Sequence, residues 1–242
     1  MDYKIKSWKN SKNEKWTKDL LKETICVLKD NEIYRVADVV TFPKSHRVVK
    51  EIMKNYKGTL LYFYFKNKDK YNSLSDVIVK YQDKFSFEIY QGDYIVVHVR
   101  CGDDLIKRGL TLENILILLK KLKEYDANKK VILVTALHYG HKKGHSKFYK
   151  QKVYCYEEKN HDENIVRLQY LVAHISQEVV KIISNMEVDL DILTLSFAKN
   201  LVASEKAGGF ALAVKKWNDE IKEKEQKEQT EQTEQKIKDS NK

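Results

Sequence analysis

The chain has 242 residues, 42% apolar and 33% charged, with a formal net charge of +10; that allows one large domain or two small ones with a substantial core and a heavily charged surface. Cys26, Cys101 and Cys155 are odd in number and far apart, so no disulfide framework or zinc knuckle can be read from them, which suggests a reducing compartment. No apolar run reaches transmembrane length and the polar start, Met1 to Lys6, is no signal peptide, so a cytoplasmic protein is expected. The positive balance favours polyanionic partners in general, but the lysines are scattered along the chain and carry little functional weight.

In chain order, residues 16–30 place Leu20, Leu21, Ile25 and Leu28 on one helical stripe, with Thr17 as an N-cap. Residues 35–41 read as a strand and 46–56 as a short helix after Pro43. Residues 59–65 are rich in aromatics and read as a strand. Consecutive rings on a strand point to both faces, so Tyr62, Phe63, Tyr64 and Phe65 are expected in a doubly buried core strand, not on a nucleic-acid stacking platform. Residues 71–85 suit a helix with Leu74, Val77, Ile78 and Tyr81 on one face; 85–90 form a weaker strand that ends in the turn Gln91-Gly92-Asp93.

A cleaner rhythm follows. Ile95, Val96, Val97 and Val99 make an apolar, β-branched stretch that reads as a buried strand over 94–100. A helix over 111–125 and a second apolar strand over 130–136 come next, then a long polar loop over about 138–160. A helix over 162–176 leads to a strand at 178–184, a helix at 188–199, a short strand at 200–204 and a last helix opening near Gly208. This alternation is the signature of a parallel sheet with right-handed crossovers. The expected organisation is a smaller N-terminal α/β domain over 1–90, the parallel-sheet domain over 91–217, and a charged low-complexity tail over 218–242. The tail cannot bury an apolar face and is read as a solvated single helix or a disordered segment.

His98 and Arg100 stand at i and i+2, so on a strand they share a face and are delivered to the carboxyl edge, where open parallel sheets bind ligands. The guanidinium suits bidentate phosphate contact and the imidazole suits a ribose or base edge. The competing reading pairs Arg100 with Asp103 or Asp104 and leaves His98 as a satisfied core histidine. A second constellation joins Ser184, Asp189 and Asp191 to Ser204 and the glycines Gly208 and Gly209, followed by Phe210. There a helix N-terminus would offer backbone N–H groups to a phosphate, while Asp189 reads equally as an N-terminal helix charge. His138, His141 and His145 lie in a loop with Lys142 and Lys143, and no carboxylate or cysteine joins them before Cys155. Three histidines in eight residues raise a metal site as one reading, but the added lysines favour a mobile basic loop that serves as an acceptor-side lid or as extra phosphate contacts.

The motif His98-Val-Arg-Cys-Gly-Asp103 resembles the His-x-Arg-Arg-Gly-Asp motif of the α-1,2-fucosyltransferases and their wider superfamily, which includes the α-1,6 and protein O-fucosyltransferases. The stretch from Asp191 to Phe210 is similar to that family's later segment, and the two matches together span residues 94–215. The resemblance implies a GT-B fold, with two facing Rossmann-like domains and the GDP-sugar held mainly by the C-terminal one. It implies Arg100 on the pyrophosphate, His98 on the nucleoside, Asp189 or Asp191 on the guanine or ribose, and Ser204 with Gly209 and Phe210 against phosphate and base. It also implies metal-independent, cofactor-free transfer with a GDP-sugar as donor, in which Arg100 stabilises the leaving diphosphate. Asp103 and Asp104 are the candidate bases beside it. The family's second arginine is Cys101 here, and its Ser/Thr-rich turn is Glu205-Lys206-Ala207.

The first expectation is therefore an inverting glycosyltransferase that moves a sugar, GDP-fucose being the model donor, to the hydroxyl of a glycan or protein acceptor. The second is a non-catalytic nucleotide or nucleotide-sugar binding protein; the third is a basic nucleic-acid-associated protein, for which the sequence offers the least. No membrane span is expected, and a homo-oligomer is compatible with the chain.

Overall fold

The computed structural model describes residues 53–54, 57–101, 110–135, 139–142, 153–156, 158–184, 188–203 and 209–240. Among them are six strands: β1 (Tyr94–Val99), β2 (Lys130–Thr135), β3 (Tyr139–Lys142), β4 (Val153–Tyr156), β5 (Glu178–Ser184) and β6 (Leu201–Ala203). The helices are α1 (Leu60–Lys66), α2 (Leu74–Tyr81), α3 (Leu112–Leu122), α4 (Glu158–His174), α5 (Val188–Ser196) and α6 (Gly209–Ser240), with a 3₁₀ turn at Gln82–Lys84. The expected helices and strands over 16–56 lie largely outside the described residues.

The sheet follows from its side chains. The runs in β1 and β2 are apolar at nearly every position, which suits strands covered on both faces. Four strands pair in parallel in the order β5-β2-β1-β6. With a helix after each strand, this α/β arrangement is compatible with a Rossmann-like fold. Alternation sorts the residues: Ile95, Val97, Val99, Val131 and Leu133 pack under Ile115, Leu118 and Leu122 of α3 and Leu168, Leu171 and Val172 of α4. Val96, Ile132 and Val134 face the opposite layer, built from α1, α2, α5 and α6. In β5 the register shifts opposite Val131 and Ile132, so Val180 is an extra residue there and the strand's alternation slips.

At the amino end of the sheet, Gly92 adopts φ 63°, the left-handed conformation that glycine tolerates best. Its carbonyl accepts from Lys129 Nζ (2.9 Å) and Asn200 Nδ2 (3.1 Å), and Asn200 Nδ2 also donates to the Tyr94 carbonyl (2.8 Å). One turn thus ties together the starts of β1, β2 and β6, and this sets how far β1 carries its last residues toward the opposite edge.

Three expectations are corrected. Residues 59–65 form helix α1 and no strand: the Thr59 hydroxyl accepts from the Tyr62 N–H (3.2 Å) as an N-cap, and Leu60 and Leu61 are the two fully buried residues. The aromatic β-preference was overridden by this cap and by packing on one side only, which leaves Tyr62 to Phe65 half-buried against the core edge. Residues 85–90 form no ladder. The polar loop of 138–160 contains an antiparallel ribbon, in which Tyr139 pairs with Tyr156 and Lys142 with Val153, and α4 already begins at Glu158.

The boundary expected near Gln91 falls inside a shared core, since Leu60, Leu61, Leu74, Val77 and Ile78 pack in the layer that covers Val96 and Ile132. The charged tail from residue 218 is the distal part of α6, a single helix of 32 residues. Its first turns are anchored: Asn218 and Ile221 are each 2% exposed, and Lys224 pairs with Asp76 and donates to Ser75 Oγ. Residues 225–240 are exposed. No helix among the described residues is long and apolar enough to cross a membrane.

Candidate functional site

The sheet order reverses between β1 and β6: from β1 the chain moves outward to β2 and β5, then returns through α5 to β6 on the other side. In open α/β sheets the crevice at the carboxyl ends of two such strands is the usual ligand site. Here His98 is the register partner of Ala203, the last residue of β6, and α6 opens six residues after Ala203. The reversal point therefore holds the end of β1 and the N-terminus of a long helix.

His98 lies on the Val96 face, 8% exposed. Its ring faces Phe210, in the first turn of α6, with centroids 5.3 Å apart and planes tilted by 48°. Nδ1 is enclosed and meets no hydrogen-bond partner among the described residues. Burial, reinforced by the nearby Arg100 charge, lowers the His98 pKa to about 4, so the ring is neutral at pH 7. Arg100 follows β1 directly and is half-buried, and its charge acts on His98.

Two acidic residues of α5 are separated by their partners. Asp189 is 6% exposed and its Oδ2 accepts from the Leu60 N–H at 3.2 Å, which ties the first turn of α5 to the start of α1. This structural tie takes up the side chain that the resemblance assigns to guanine or ribose. Asp191, in the same first turn, keeps one enclosed oxygen, Oδ1, with no hydrogen-bond partner among the described residues. Burial holds its carboxyl well above the usual carboxylate range.

Cys101 points to the opposite face. It is 7% exposed in the layer under α3 and α4, and burial raises its thiol pKa to about 12, with the Thr135 hydroxyl and the Arg167 charge offsetting only part of that rise. The thiol is therefore protonated and inert at neutral pH. Lys121, which sequence reasoning did not single out, reaches from α3 to donate to the Ala203 carbonyl (3.0 Å) at the end of β6. A contact 82 residues distant in sequence has no local signature beyond a basic residue in the last turn of α3.

Asp103, Asp104, Ser204, His138 and His145 lie outside the described residues, as do the side chains of Ser184 and His141; Gly209 is the first residue of α6. Among the described residues no group of three His, Cys, Asp or Glu side chains is placed to hold a metal ion. No family model, curated protein or solved structure matches this chain.

Proposed function

We propose that this chain binds a nucleotide sugar, with GDP-fucose as the model donor, in the crevice between β1 and β6, and transfers the sugar to an acceptor hydroxyl. In this reading the parallel sheet is the donor-binding half of a GT-B-type arrangement. The observation that carries it is the enclosed Nδ1 of His98 against Phe210, at the reversal of strand order and beside the N-terminus of α6. An unmet buried nitrogen costs free energy that a ligand's polar edge recovers. Arg100 and the first N–H groups of α6 supply positive potential for a diphosphate. Phe210 offers an apolar surface to the nucleoside.

In the transfer step the acceptor oxygen bonds to the anomeric carbon while the bond from that carbon to the β-phosphate oxygen breaks. The electron pair leaves on the diphosphate, and the configuration at carbon inverts. Arg100 is most valuable there, where negative charge grows.

A second reading keeps the binding and omits the transfer. It is favoured by Cys101, whose burial on the far face leaves the crevice without the second arginine of the motif it resembles.

Calorimetric titration with GDP, GDP-fucose and UDP tests both. Micromolar binding of the guanine nucleotides in preference to UDP is expected, and Arg100→Ala is expected to weaken it by roughly 10- to 100-fold, as for loss of a charge-assisted contact. Absence of nucleotide binding, or an unchanged affinity in Arg100→Ala, overturns the assignment. Binding of GDP-fucose without sugar transfer or donor hydrolysis selects the second reading.

A further inference from the structure

Four consecutive rings on a buried strand would be closed to any ligand, but residues 60–66 are helix α1. A helix turns by about 100° per residue, so Tyr62, Phe63, Tyr64 and Phe65 are spread around its axis. Leu60 and Leu61 take the core side and are fully buried, while all four rings stay half-buried. Rings of α2 and of the turn before it continue the surface. Phe63 stacks on Tyr81, with centroids 4.2 Å and planes 5° apart, and Tyr71 meets Tyr81 edge-on at 6.3 Å. Tyr64 and Phe65 meet edge-on at 5.2 Å.

Lysines are laid over these rings. Lys66 Nζ lies 5.6 Å from the Tyr62 centroid and Lys84 Nζ lies 5.9 Å from that of Phe63, within the range of a cation–π contact. Residues 60–84 carry five lysines, Lys66, Lys68, Lys70, Lys80 and Lys84, all exposed, against three aspartates. One of the three, Asp76, is engaged by Lys224 of α6. The surface is thus aromatic and positive together. A bilayer surface would be gripped by apolar side chains that reach into it, whereas these half-buried rings lie flush with their surroundings. A duplex offers phosphates but keeps its base faces stacked inside. A single strand offers phosphates and base faces at once, which complements both features.

We propose that the α1–α2 surface binds single-stranded nucleic acid, its bases stacking on the Tyr64, Phe65 and Tyr71 rings and its phosphates held by Lys66, Lys68, Lys70 and Lys84. The surface shares no residue with the β1–β6 crevice, so strand and nucleotide bind independently. Stacking reads a base by its face, so the preference is for strandedness over sequence. Phosphate contacts release counterions, so affinity falls steeply as salt rises.

The test is fluorescence anisotropy of a labelled oligothymidylate of about 12 nucleotides, single-stranded and annealed to its complement, over a series of salt concentrations. The single strand is expected to bind about 10-fold more tightly than the duplex or better. Tyr64→Leu with Phe65→Leu keeps apolar bulk on α1 and should weaken the single strand about 10-fold or more, with the duplex unchanged. Lys68→Gln with Lys70→Gln should weaken both and flatten the salt dependence. In the wild type the ring-proton signals of Tyr64 and Phe65 should move upfield as the strand is added, a readout that needs no variant. Ring signals that stay fixed while the strand binds, equal affinity for strand and duplex, or no binding at about 0.1 M salt overturns the proposal. Displacement of the strand by GDP would place it in the β1–β6 crevice and overturns it as well. Capture by phosphatidylserine-containing vesicles without oligonucleotide binding assigns the surface to lipid and has the same consequence.

Discussion

Lowering the pH from 7.5 to 5 is expected to destabilise the wild type relative to His98→Gln by about 2 kcal/mol, rising to about 3 kcal/mol at pH 4. The His98 pKa is about 4 in the folded protein against an ordinary value of 6.5, with burial as the main cause and the Arg100 charge as the second. Between those values the unfolded chain takes up a proton that the native state refuses, so acid favours unfolding. The His98 contribution is present in full above 6.5 and is lost as the pH falls toward 4. Asp191 acts with the opposite sign: its folded pKa is raised, so its contribution is present below the ordinary carboxylate value and is lost as the pH rises through the folded one. The two slopes oppose each other in the wild type, and the glutamine variant removes one of them. Urea denaturation of both proteins at pH 4, 5, 6 and 7.5 measures the difference; a constant offset across the series would show that His98 is not held neutral by the fold.

The second large effect is expected at Asn218, a polar residue 2% exposed near the middle of the packed part of α6. Its Nδ2 donates to the carbonyls of Ser196 (2.8 Å), Ala198 (2.8 Å) and Leu195 (3.4 Å). The last carbonyls of a helix have no partner within it; Leu195 O also accepts from the Ala198 N–H (3.4 Å), and the Asn218 amide is the donor that meets Ser196 O and Ala198 O. Asn218→Leu has similar bulk but no donor, so it should strand the Ser196 and Ala198 carbonyls and cost about 3 kcal/mol. Urea denaturation reads this directly. A loss below about 1 kcal/mol would mean that the end of α5 finds other donors.

These two sites show what the sequence makes legible and what it hides. The β-branched run before Arg100 and the two-residue period of a strand put His98 on one face, and they put Cys101 on the other together with Ile95, Val97 and Val99. The parallel sheet was legible from the spacing of apolar runs and helices. α1 was not, because four consecutive aromatics favour a strand by propensity, and the outcome rests on Thr59 as a cap and on Leu60 and Leu61 meeting a core formed by distant residues. The ribbon of β3 and β4 was hidden because each strand has four residues and no apolar alternation marks either. Nothing local separates Asp189 from Asp191; the separation comes from Leu60, 129 residues away, which engages only the first. Asn218 lies where the composition turns to Lys, Glu and Gln, and its burial follows from the packing of α6 against the end of α5, which a residue count does not contain.

The most direct measurement of the central claim is the ¹⁵N spectrum of the His98 ring at pH 7, followed as GDP is added. The account predicts a neutral ring in the free protein and a shift of Nδ1 that saturates with GDP, as an enclosed nitrogen without a partner gains one. A His98 signal that stays fixed while GDP binds would place the nucleotide elsewhere on the chain and contradict the site at the β1–β6 edge.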